Sequence, residues 1–147
     1  NSKQDGEASK SDALAQRLQD SGKLTINMLI SLLNEGQVAV AISGLGKLTG
    51  IDDDFVKRAL FDPWGDALAI MLRAVAANKD HLSLIYNLVH NARSPGRQAP
   101  PEELQDLLEM FAVTTQAAAG QIVRQWSRCP DYASAVRDLD SRSGRNG

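Results

Sequence analysis

Apolar residues recur at spacings of three and four along most of the chain, the signature of amphipathic helices. The clearest stretch runs from Leu24 to Asn78 and reads as two helix–turn–helix units laid end to end. Thr25 is a candidate N-cap, followed by Ile26, Leu29, Ile30 and Leu33. Asn34-Glu35-Gly36 breaks that helix, and Val38, Ala41, Ile42, Leu45 and Leu48 start the pattern again. Sliding the chain by 27 positions sets Leu33 on Leu60, Leu45 on Leu72 and Leu48 on Val75, and the Glu35-Gly36 break on Asp62-Pro63. Either unit alone leaves an apolar face wet, and stacking buries both.

The flanks are less regular. Residues 1–11 are polar and small, so they are expected to be a disordered N-terminal segment. A single helical domain is expected over 12–138, opening with a short helix that Asp12 caps and that carries Leu14 and Leu18. Asp62 and Pro63 suit the cap and first turn of a helix through Trp64, Leu68, Met71, Leu72 and Val75. Leu82, Ile85, Tyr86 and Val89 predict another helix, stopped by the Pro- and Gly-containing loop 91–100. Pro101 then opens one long helix over 101–128, with acidic residues at its start and Arg124 and Arg128 at its end. Leu104, Leu108, Phe111, Thr115, Ala118, Ile122 and Trp126 step along it as a near-heptad seam. A short helix through Tyr132, Ala133 and Val136 precedes a tail, 139–147, expected to be disordered.

The expected architecture is therefore all-α: stacked helix-turn-helix pairs with a long C-terminal helix. At about 42 Å, a 28-residue helix overhangs the shorter pairs before it. An apolar seam running past the core needs a cover. A homodimer through the 101–128 helix is one expectation, with Ile122 in its interface.

Composition narrows the function classes. The 147 residues are 43% hydrophobic and 23% charged, ordinary for one globular domain. A formal net charge of −2 and scattered basic residues give no field for nucleic acid or anionic lipid. No apolar run approaches the roughly 20 residues of a membrane span. The opening stretch has no charged-then-apolar signal pattern. The lone Cys129 fits a reducing compartment, so a cytoplasmic protein is expected.

Each cluster of reactive residue types has a structural reading that fits better than a chemical one. Gly44-Leu45-Gly46 lacks the strand, third glycine and lysine of a phosphate cradle, and close approach of a neighbouring helix explains it. Asp52-Asp53-Asp54 lacks the alternate spacing and distal Glu of a calcium loop. Asp52 as N-cap with two carboxylates at the positive helix start accounts for it. His81 and His90 fall on nearly opposite faces of one helix and cannot share a metal. Cys129 has Arg128 beside it but no histidine nearby in sequence. No catalytic, cofactor-binding or metal residues are assigned, no cofactor is implied, and the expectation is a protein that is not an enzyme.

The run around Leu24-Thr25, Leu29, Leu32-Leu33, Gly36, Leu45, Leu48-Thr49-Gly50, Ala59-Leu60, Asp62 and Leu68 resembles a family of uncharacterised bacterial proteins, most familiar from alphaproteobacteria. The resemblance covers about residues 14–78 and departs from the family at Val38-Ala39-Val40, where members often carry aromatics. It implies HEAT-like helical repeats and carries no catalytic residues with it. The first functional expectation is accordingly a helical-repeat module that binds a protein partner. The alternative is a sensor for a small molecule or lipid, held in an interhelical pocket by Trp64, Met71, Phe111 and Trp126.

Overall fold

The structure, a computed structural model, describes residues 2–62, 65–96, 100–129 and 131–143. Among these residues the regular elements are all helices: α1 (Ser2–Asp20), α2 (Ile26–Asn34), α3 (Val38–Thr49), α4 (Asp53–Phe61) and α5 (Asp66–Ala74), then α6 (Lys79–Arg93), α7 (Pro101–Val113), α8 (Gln116–Arg128) and α9 (Tyr132–Ser143). The protein is all-α.

The internal repeat is visible in the helix limits. α4 is α2 moved by 27 positions, and the N-caps Thr25 and Asp52 match in the same register. Thr25 accepts from the Met28 amide and Asp52 from the Asp54 amide. A third start follows 26 positions on at Asn78, whose side chain accepts from His81 N while His81 Nδ1 accepts from Asn78 N. Each cap lies between two buried apolar residues, one just before it and one four after it: Leu24 and Leu29, Ile51 and Val56, Ala77 and Leu82. This is the hydrophobic-staple arrangement, which fixes the angle at which the chain enters a helix. The same local device therefore starts three successive units: α2–α3, α4–α5 and α6–α7.

The units do not form an open row. In a linear stack each unit touches only its neighbours, whereas α2 here lies against α6. The two glycines of α3 show how closely its neighbours approach. A Cβ on Gly44 would lie 2.9 Å from the tips of both Leu24 and Leu29, and one on Gly46 would lie 2.6 Å from Asp53 Oδ1 and 2.9 Å from the Ile51 carbonyl. Side chains and backbone already fill the space a phosphate would need. Asp53 also accepts from the buried Ser43 hydroxyl at 2.8 Å, tying α4 to α3.

Several sequence expectations are corrected. Residues 2–11 are not a disordered segment but the first half of α1. Their Glu, Lys, Gln and Ala residues are good helix formers, and extending a helix already packed further along costs little. That packing is against α3, through Ala15 and a 2.8 Å Lys47–Asp12 ion pair, so Asp12 is a mid-helix partner rather than a cap. The tail likewise stays helical to Ser143, because Leu139 is buried; residues 144–147 lie outside the described residues.

Asp62 closes α4 in an extended conformation, and α5 begins at Asp66 after Gly65 at φ +75°. Pro63 and Trp64, read as the head of that helix, lie outside the described residues. The loop after Val89 is shorter than expected, since α6 continues to Arg93.

The largest correction concerns 101–128, which is two helices broken at Thr114-Thr115. Three β-branched residues in a row, Val113 to Thr115, weaken the helix there. Both threonines then favour the break. Thr114 bonds back to the Met110 carbonyl at 2.8 Å, and Thr115 caps α8 by accepting from the Ala118 amide. With the break, α8 lies along α5 and buries Ala119, Val123 and Trp126. The overhang that motivated self-association is absent.

Candidate functional site

The break between α7 and α8 builds a broad concavity over α5. Arg73, at the end of α5, reaches across and donates from Nε to the Thr114 carbonyl at 2.7 Å, while its guanidinium lies 5.0 Å from the Phe111 ring centre. A helix C-terminus leaves carbonyls without intrahelical partners, and a cation there is favoured by the dipole. Arg73 thus pins the corner from below. From that corner α7 and α8 diverge as two walls over α5.

The groove between them has a volume of about 820 Å³. α7 contributes Asp106, Glu109, Met110 and Val113; α8 contributes Ala118 and Ile122; Thr114 and Thr115 form the corner. Asp66 and Ile70 of α5 form the floor, both buried, and Leu139 of α9 closes one end. Val113 is 81% exposed at the mouth. The lining mixes apolar side chains with carboxylates, Asp66 in the floor and Asp106 and Glu109 along α7, and has no lysine or arginine among the described lining residues.

α9 is held in place by two contacts that link distant parts of the chain. The Tyr132 hydroxyl donates to Asp62 Oδ2 at 2.5 Å, and its ring meets Phe55 edge-on with centroids 5.1 Å apart. Phe55 also meets Trp126 of α8 at 5.1 Å. Burial, and then the hydrogen bond to Asp62, holds the Tyr132 hydroxyl protonated well above the ordinary tyrosine range. Burial and the neighbouring Glu103 carboxylate raise Tyr86 in the same direction.

A second, smaller groove of about 360 Å³ lies between α1, α2 and α3. It is lined by Leu14, Leu18, Met28, Leu32 and Val40, with Arg17 and Lys23 as its charged residues. Leu14 is 39% exposed there.

The residues weighed in the sequence for chemistry are dispersed. His81 is used in the Asn78 capping box, and His90 stacks on Tyr86 at 6.4 Å with its Nδ1 near Arg93. Cys129 is exposed at the end of α8. Among the described residues no three of His, Cys, Asp and Glu are placed to hold a metal ion, and no helix is long and apolar enough to cross a membrane. Met71, Phe111 and Trp126, expected around an interhelical pocket, are instead packed in the core; Trp64 lies outside the described residues.

Sequence reasoning found part of the groove without recognising it. Thr115, Ala118 and Ile122 were on the apolar seam of 101–128, and all three line it. Asp66, Asp106 and Glu109 carried no shared signal, because they come from two elements forty residues apart in the chain.

No curated protein and no solved structure matches the chain. A family model does, over residues 1–124. The chain belongs to the bacterial family described as an uncharacterised protein conserved in bacteria (DUF2336).

Proposed function

We propose that this domain is a non-enzymatic interaction module whose groove between α5, α7, α8 and α9 receives a segment of a partner protein. The observation that carries the reading is the groove itself: about 820 Å³, lined largely by apolar side chains, with Val113 standing 81% exposed at its mouth. An exposed apolar concavity rimmed by polar residues is the usual mark of a binding surface. Exposing Val113 brings no benefit to folding, since burial of such a side chain would contribute about 1.5–3 kcal/mol. A small apolar ligand is the second reading, because the volume falls within the range of ligand pockets, roughly 300–1,000 Å³.

Selection from an unbiased peptide-display library tests the proposal. The expected result is enrichment of clones that bind the wild-type domain and lose binding to Val113→Ser and to Ala118→Trp, which fills the groove. Val113 and Ala118 are both exposed, so neither change should disturb folding. Enrichment indifferent to both variants, or no enrichment, would overturn the protein-segment reading. An apolar dye that binds wild type and not Ala118→Trp would then favour the small ligand.

A further inference from the structure

Resting on that reading of the groove, we infer that its occupant is a short amphipathic helix of another protein, apolar on one face and basic along the flank that meets α7. Length comes first. The residues α7 turns to the groove, Asp106, Glu109, Met110 and Val113, are spaced i, i+3, i+4 and i+7. Seven residues of rise span about 10.5 Å, two helical turns. An occupant in register with this wall presents its own anchors at the same spacing.

Helical rather than extended structure follows from the backbone. The walls are helices, whose amides and carbonyls are bonded internally. At the corner the Thr114 carbonyl is taken by Arg73 and the Ala118 amide by Thr115, so only a few end groups of α7 and α8 remain for a partner. An extended segment would find few backbone partners and would desolvate its own amides against an apolar surface, whereas a helix brings its hydrogen bonds with it. Ala118 and Thr115 are small enough for a helix backbone to come close. α9 already packs on α5 as a helix, with Ala135 and Leu139 buried.

Charge selects the flank. α7 carries Glu102, Glu103, Asp106 and Glu109 and no Lys, Arg or His. Asp106 and Glu109 are exposed on the groove rim, and neither forms an ion pair with a described residue. Among the described residues Glu109 accepts from Gln105, at 3.3 Å. The N-terminus of α8 offsets this with a partial positive charge of about half a unit, against the exposed Asp106 and Glu109 carboxylates on the rim and Asp66 in the floor. The groove is thus set to attract lysine or arginine and to reject an acidic helix, an effect expressed in partner choice and association rate.

Fluorescence anisotropy with three designed peptides of about four turns decides it. The first carries leucines at i, i+3, i+4 and i+7 with flanking lysines; the second replaces each lysine by glutamate; the third is the lysine peptide with a central proline. The expected order is tight binding of the lysine peptide, weakening with salt, and binding of the glutamate and proline peptides weaker by about tenfold or more. The double variant Asp106→Lys/Glu109→Lys should invert the preference between the lysine and glutamate peptides. Val113→Ser should weaken the lysine peptide while leaving its salt dependence intact. Equal binding of the first two peptides, an order unchanged in the double variant, or full binding of the proline peptide would overturn the inference. Should all three peptides fail while the display selection still yields Val113-dependent clones, the helix-and-charge inference falls and the groove reading stands.

Discussion

The two grooves of this domain are built from the same materials and differ in what surrounds them. The α1–α2–α3 groove is floored by Leu32 and Val40, opens to about 360 Å³ and has Arg17 and Lys23 on its edge. The α5–α7–α8–α9 groove is more than twice as large and is edged by Asp106 and Glu109. The first is narrow because the second half of α1 packs unbroken on α3, anchored by Ala15 and the Lys47–Asp12 pair. The second is wide because α7 and α8 are separated by a break that Arg73 fixes open. A continuous helix covers its neighbour, and a helix interrupted at a pinned corner leaves a space. A net charge of −2 conceals this division: the charged residues lining one groove are basic and those lining the other are acidic.

Four substitutions break or sharpen the contrast. Phe55→Ala should have the largest effect, about 3–5 kcal/mol. Phe55 is 2% exposed and supports both Trp126 and Tyr132, so its loss should loosen the acidic groove and spare the basic one. Urea denaturation gives the magnitude and hydrogen exchange the location. Gly46→Ala acts at the α3–α4 contact, outside the lining of either groove. Overpacking there costs about 1–3 kcal/mol, partly offset by about 1 kcal/mol of helix propensity. The clash should win, because the Ile51 carbonyl 2.9 Å away is backbone and cannot turn aside. A more stable Gly46→Ala would show that α4 is not held against α3 as described.

Tyr132→Phe removes the hydrogen bond that positions α9 and should cost about 1–2 kcal/mol near neutral pH. It also has a pH signature. Folding raises the Tyr132 pKa, so the stability it contributes is complete below the unfolded-state value near 10 and is lost as pH rises through the alkaline range above it. The wild type should therefore lose stability above about pH 10 more steeply than Tyr132→Phe, with Tyr86 sustaining the remaining slope. Equal slopes would mean the hydroxyl is not buried against Asp62. Asn78→Ala should be the mildest, about 1 kcal/mol for a lost cap, lowering the melting temperature without altering either groove.

Much of the α2–α6 region is legible in the sequence. Its signals are local: Thr25 and Asp52 each cap a helix within a few residues, and the 27-residue offset needs only self-comparison, whereas Asn78, read as the end of a unit, is the cap of α6. Gly44 and Gly46 were readable as close approach because helix-interior glycines need a reason. The break at Thr114-Thr115 escaped for an instructive cause. Thr115 satisfies the apolar seam as well as the cap, so periodicity ran across the corner unbroken. Thr-x-x-Ala carries none of the acidic reinforcement of a capping box. The Tyr132–Asp62 and Arg73–Thr114 bonds join residues 70 and 41 positions apart, and nothing in a single sequence pairs them. α1 was cut short because its first half has little apolar pattern, and its helicity rests on propensity and on continuation from the packed half.

Methyl-resolved NMR titration with the lysine and glutamate peptides addresses the central claim most directly, since both grooves carry methyl reporters. The lysine peptide is expected to shift Ile70, Met110, Val113 and Ile122 and to leave Leu14, Leu18, Met28 and Val40 unmoved. Shifts confined to the α1–α2–α3 set, or spread equally over both sets, would contradict it.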